Sequence, residues 1–150
     1  MNQISDEYLK QLVFLNDNIT DQGIVVLNME NWVQPDTDNE IVRVTSFIAN
    51  VMTQALLKSQ SVGKDKFDVI VYMVKFKISK VNYKFVKYLA DILKQLFPEK
   101  LRSATLIDPP KFFVASYEII KKFLDKPTRK KIRLISTKDN SDLYFDNYED

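Results

Sequence analysis

Phe97–Ser136 reads FPEKLRSATLIDPPKFFVASYEIIKKFLDKPTRKKIRLIS, and its punctuation predicts a strand–helix–strand unit. Pro98 closes a preceding helix, because proline cannot continue one. Arg102–Ile107 reads as a strand. Asp108-Pro109-Pro110 is a strand-to-helix turn, since proline is tolerated in a first helical turn and not inside one. Phe112–Leu124 is helical and apolar on much of its circumference. Asp125 and Pro127 open a further short helical turn, and Lys131–Ser136 reads as a second strand. Two strands joined through a helix call for a right-handed crossover and parallel pairing.

Working outward, the same alternation continues. Phe67–Phe76 (FDVIVYMVKF) is a nearly continuous apolar run, the pattern of a central strand buried on both faces. Phe85, Leu89, Ile92, Leu93 and Leu96 recur at helical spacing after it. Asp36-Thr37-Asp38 supplies helix-start chemistry. The following Ile41, Val44, Phe47 or Ile48, Val51 and Ala55 give a long helix with one buried stripe, ended near Gly63. Ile24–Met29 predicts a short strand, and Ser5–Asn16 a short amphipathic helix with Tyr8, Leu9, Leu12, Val13 and Leu15 on its apolar side. Thr137–Asp150 is polar and acidic. The expected order is αβαβαβαβ in one domain, with no internal repeat. The organisation expected is a helical lead-in over 1–20, a domain over 21–136 and an acidic tail over 137–150.

Composition removes function classes. The chain has 150 residues, 45% hydrophobic, with a net charge of +2, an ordinary globular composition. A near-neutral total argues against nucleic acid as a partner. With no Cys and no His, thiol catalysis, thiolate zinc sites, the usual serine triads and the commonest metal ligand are excluded. Only Gly23 and Gly63 are glycine, so no glycine-rich loop cradles a nucleotide phosphate. The polar, acidic start, without signal peptide, lipidation motif or membrane-length apolar run, predicts a cytoplasmic protein. No cofactor and no metal are expected.

The quoted segment resembles the C-terminal half of the CRAL-TRIO lipid-binding domain, the family of phosphatidylinositol-transfer, tocopherol-transfer and retinaldehyde-binding proteins. Phe97-Pro98-Glu99-Lys100-Leu101, Asp108-Pro109-Pro110, Phe113, Phe123-Leu124-Asp125, Thr128 and Lys131-Ile132 match the family pattern without a gap. Asp21-Gln22-Gly23-Ile24-Val25, Trp32 and Pro35 agree more loosely, so the resemblance covers roughly Asp21 to Ser136. It departs at Val74-Lys75-Phe76, at Asp108 for the family's Asn and at Lys122 for its Pro. It implies a minimal version without the N-terminal helical lobe, and an α/β fold with a mainly parallel β-sheet flanked by helices. An apolar lipid pocket would lie between the sheet and a gating helix.

The resemblance also implies roles. Glu99, Thr128 and Lys131 map onto the phosphatidylinositol-headgroup residues. Lys131 would neutralise the phosphodiester, Thr128 donate to it and Glu99 accept from inositol hydroxyls. Structural alternatives stand beside these: Glu99 capping a turn, Thr128 starting a helix, or a Glu99–Lys131 ion pair. Phe112–Leu124 corresponds to the gate, with Phe112, Phe113, Tyr117, Ile120, Phe123 and Leu124 lining gate and pocket. On pattern alone this stretch reads equally as a buried core helix. Lys121, Lys122, Lys126, Arg129 and Lys130, with Lys131 and Arg133, form a basic cluster suited to transient docking on anionic membrane, or simply a solvated basic face. The acidic tail folding back on that cluster would be a salt-sensitive brake.

The leading expectation is binding and transfer of a hydrophobic ligand, foremost a phospholipid such as phosphatidylinositol, with no chemistry of its own. The alternative is a degenerate domain serving as a protein-interaction or membrane-targeting module. An enzyme would have to work through Asp68, Lys75, Glu99 or Asp108, which no chemical spacing pairs.

Overall fold

The computed structural model describes residues 4–16, 21–76, 80–138 and, for the backbone, 141–145. The elements follow in order as α1 (Asp6–Leu12), β1 (Val13–Leu15), β2 (Gly23–Asn28), α2 (Asp38–Gln60), β3 (Phe67–Tyr72), α3 (Tyr83–Leu96) and β4 (Leu101–Ile107). Then come α4 (Lys111–Ile120), a 3-10 turn (Lys121–Phe123), α5 (Lys126–Arg129), β5 (Ile132–Ser136) and β6 (Ser141–Phe145). The sheet order is β1-β2-β3-β4-β5-β6. The four central strands are parallel and the two edge strands antiparallel to their neighbours. This is the mainly parallel, helix-flanked α/β architecture expected from the sequence.

Two strands were not anticipated. Ser5–Asn16 is not one helix. Val13 is already extended at φ −136°, and Val13–Leu15 pairs with Leu27–Val25, because a β-branched residue at the edge of β2 gains a ladder that a last helical turn would forgo. Residues 141–145, within the acidic stretch, pair with β5. The fold-back of the rest of that stretch falls on residues 139–140 and 146–150, outside the described residues.

Each helical crossover joins adjacent parallel strands, and right-handed crossovers running one way across a sheet place their helices on one face. That face carries Val25, Leu27, Val69 and Ala104, which form one core with Ile41, Val44, Ile48 and Ala55 of α2 and Phe85 of α3. Leu134 joins Tyr117 and Ile120 of α4 in a second cluster on the same side. Residues of the opposite phase, such as Ile70 and Ile107, belong to neither core, and there Phe14 and Tyr72 are 41% and 43% exposed. The reading of Phe67–Phe76 as a strand buried on both faces is therefore corrected. β3 stops at Tyr72, and only its helix-side residues enter a core. On the bare side Asp68 is buried by its neighbours, accepting from Arg102 Nε and Ser103 Oγ at 2.9 Å each.

α2 sets the geometry of the layer. Thr37 and Glu40 form a reciprocal capping box, satisfying backbone N–H groups that would otherwise lack partners. A Cβ on Gly23 would lie 1.8 Å from the Ala55 carbonyl oxygen, so helix and strand touch backbone to backbone. Met73–Phe76, beyond β3, turns back over the sheet end and buries Met73 and Phe76. No described helix is long and apolar enough to cross a membrane.

Candidate functional site

Between the sheet and the helices α3 and α4 lies a cavity of about 210 Å³. Leu27, Val71, Leu106 and Ile132 of four successive strands make its floor. The floor is possible because these residues share one phase of the strand register. Phe85, Leu89 and Leu93 of α3 form one wall. Phe113, Tyr117, Ile120 and Leu124, spaced by three and four residues along α4 and its 3-10 extension, form the roof.

Two of the six residues assigned to the gate, Phe112 and Phe123, are not part of the cavity wall. Phe112 stacks on Phe76, ring centroids 5.8 Å apart, and Phe123 tilts against Tyr83 at 6.2 Å. Both partners flank the β3–α3 connection, so the roof is fastened at its two ends to one segment. The roof helix has little else of its own: its N-cap is Pro110, with no side-chain cap. Its outer side carries the exposed Lys111, Ala115, Glu118, Ile119 and Lys122.

A second pocket of about 320 Å³, walled by charged and apolar side chains alike, shares Leu93 with the first. Glu99, Thr128 and Lys131, drawn from separate parts of the chain, all line it, together with Lys94, Phe97 and Asp125. The chain changes sides at two points: Leu124 faces the apolar cavity and Asp125 the second pocket, as Ile132 and Lys131 do in turn. Glu99 holds a left-handed backbone at φ 59°, a conformation that suits glycine and costs a larger residue on the order of 1 kcal/mol.

Asp125 caps α5, accepting from the Thr128 amide at 2.9 Å. The Thr128 hydroxyl also donates to it. That bond, then the amide and then the nearby Lys94 and Lys131 charges, hold its carboxyl below the usual aspartate range. Thr128 thus sits against Asp125 through its amide. Glu99 and Lys131 share the pocket without forming an ion pair.

The CRAL/TRIO domain profile matches residues 7–148. This chain belongs to the CRAL/TRIO family. A solved structure described as the crystal structure of Sfh5 shares the fold, with a TM-score of 0.67 at 17% identity over 91% of this chain. The chain spans half the length of that one, 50%. None of the curated proteins matches.

CRAL/TRIO domains bind hydrophobic, lipid-like ligands, and the apolar cavity is enclosed by α3 on one side and α4 above. The basic cluster of this CRAL/TRIO domain gathers on the 3-10 turn and α5. Lys122 and Lys126 are exposed, Arg129 and Lys130 half-buried. Lys121 bridges Glu118 at 3.1 Å, so the cluster carries an acidic partner of its own. Of the residues weighed for chemistry, Lys75 bridges Glu30 at 3.1 Å and Asp108 accepts from Thr137 Oγ1 at 2.6 Å. With Asp68 tied to Arg102, each serves structure, and they do not converge. Lys94 had no sequence signal beyond standing one turn ahead of Phe97-Pro98-Glu99.

Proposed function

We propose that this CRAL/TRIO chain is a binding protein without chemistry of its own that takes up a phospholipid-class amphiphile and exchanges it at membranes. The apolar chain occupies the cavity beneath α4, and the polar end sits among Glu99, Thr128 and Lys131. The observation that carries this reading is that Leu93 lines both spaces, with the neighbouring residues 124/125 and 131/132 divided between them. A ligand lying across that seam is apolar at one end and polar at the other. Each buried methylene contributes about 0.8 kcal/mol. The left-handed Glu99 supports the same reading, because glycine would relieve that strain but remove the carboxylate.

Phosphatidylinositol is the headgroup that the resemblance implies. Lys131 faces its phosphate, and Glu99 accepts from its hydroxyls. The Thr128 hydroxyl, already donating to Asp125, offers lone pairs to a ligand hydroxyl rather than a proton to the phosphate. α4 acts as the lid, and the basic residues around Lys122 and Lys126, with Ile119 exposed beside them, meet the anionic membrane surface. On this reading the protein works in the cytoplasm with transient membrane contact.

One observation favours a second reading. At about 210 Å³ the cavity is below the usual range of ligand pockets, roughly 300–1,000 Å³, and Trp32, Phe85, Phe113 and Tyr117 crowd it. A domain that kept the fold and lost the ligand would look similar and serve as a docking module. Mass spectrometry of lipids extracted from the purified protein, after incubation with mixed membranes, separates the two. Stoichiometric recovery of one lipid class, reduced by Lys131→Ala or Glu99→Ala, supports the carrier. An empty protein that still binds anionic vesicles sinks it in favour of the docking module.

A further inference from the structure

The second pocket is lined by two lysines, and the reading above gives a role to only one. We infer that Lys94 is a second headgroup cation, so that the pocket grips a lipid phosphate from opposite sides, Lys94 on α3 and Lys131 ahead of β5. The inference rests on that reading of the pocket and names the group that would hold the phosphate there.

The donor inventory points to it. A phosphate presents several acceptor oxygens and is bound by charge-assisted donors. The only side chains of the pocket wall with a proton to donate are Lys94, Thr128 and Lys131. Thr128 is engaged with Asp125 through its amide, and the two lysines carry the only positive charge on the wall.

The charges point the same way. Lys94, Glu99, Asp125 and Lys131 line one open volume of about 320 Å³ without pairing with one another. Asp125 is satisfied within α5 by Thr128, so it leaves both lysines available while drawing on them from a distance. Placement completes the case. Leu93 faces the seam between the two spaces, so its neighbour Lys94 stands where a headgroup would emerge from the cavity.

The competing role is purely local. Lys94 lies in the last turn of α3, where a cation stabilises the helix dipole. That role would change stability and leave lipid selectivity alone. The test is extraction by the full chain of labelled phosphatidylinositol and phosphatidylcholine from mixed vesicles, with thermal unfolding run in parallel. Lys94→Gln should lower phosphatidylinositol uptake about tenfold or more, the loss expected of one charge-assisted hydrogen bond. It should narrow the preference over phosphatidylcholine, while Lys94→Arg keeps most of both. Uptake by Lys94→Gln equal to wild type, with Lys131→Gln impaired, overturns the inference and leaves the carrier standing. A wild-type chain that extracts neither lipid overturns both. Titration with inositol monophosphate in the absence of vesicles is the last arm. Lys94-dependent binding there as tight as to vesicles would assign the pocket to a free phosphate compound and overturn the lipid assignment.

Discussion

α2 and α4 cover the same face of one sheet and are held to it by opposite means. α2 runs for 23 residues behind a complete capping box. It meets β2 with no side chain between them at Gly23, and Arg43 and Lys58 bond it to the Ile4 and Asn16 carbonyls. α4 runs for 10 residues without a side-chain cap. It is held by the small cluster of Tyr117, Ile120 and Leu134 and by ring contacts of Phe112, Phe113 and Phe123 with Phe76 and Tyr83. On the proposed reading, the contrast separates a permanent wall from the part that lifts. A helix packed over a void forfeits dispersion contacts along one side, so its local opening free energy lies below that of the whole domain.

Substitutions that blur this contrast should rank accordingly. Gly23→Ala should have the largest effect, because the added methyl meets the fixed Ala55 backbone. We expect a loss of about 3 kcal/mol or more in urea unfolding, with α2 and the sheet failing together. A milder result would mean that α2 is not seated as tightly as described. Phe112→Ala should cost about 1–2 kcal/mol overall but act locally. Hydrogen exchange should quicken across 111–120 and stay unchanged across 38–60, and lipid exchange should be faster than wild type. Equal acceleration in both helices would erase the distinction. Removing the Thr37 cap by Thr37→Ala should cost about 1 kcal/mol and leave lipid exchange unaltered.

The smallest effect is a pH dependence at the pocket. Hydrogen bonds from Thr128, then the lysines, depress the carboxyl of Asp125 in the folded state. Its contribution is therefore complete above the unfolded value of about 4 and is lost as pH falls through the lower folded value. Between pH 5 and 7 it should add no slope to stability. Below pH 4 the wild type should lose stability faster than Asp125→Asn, read from denaturant midpoints. Parallel acid limbs for the two proteins would show that the Thr128 contact is not formed.

Much of this arrangement is legible in the chain because its signals are local. Pro98, Asp108-Pro109-Pro110 and Pro127 mark boundaries that depend on backbone geometry alone, and the stripe from Ile41 to Ala55 is set by helical period. Val13–Leu15 was not legible as a strand, since apolar residues directly after a helix continue its pattern until a partner strand is known. Residues 141–145 are too short and too polar in context to declare themselves without β5 beside them. At the site, Glu99, Thr128 and Lys131 could be grouped only by resemblance, as 29 and then 3 positions separate them in the chain. Lys94 was invisible because its place depends on how α3 lies against α5. Phe112 and Phe123 look like pocket residues by composition. Only the rings of Phe76 and Tyr83 show that they fasten the roof instead.

The order of the sheet repeats the order of the chain, from β1 to β6. During synthesis each strand can therefore join the edge left by the one before, and none needs to insert between two already paired. Only one crossover has to close at each step, and closure entropy grows slowly with loop length. The same order leaves an interval of exposure. Leu27, Val71 and Leu106 are in place before α4 has emerged to cover them, so a nascent chain presents a greasy, unroofed floor to its surroundings. In a chain that folded in this order, α4 would be the piece that closes the apolar floor.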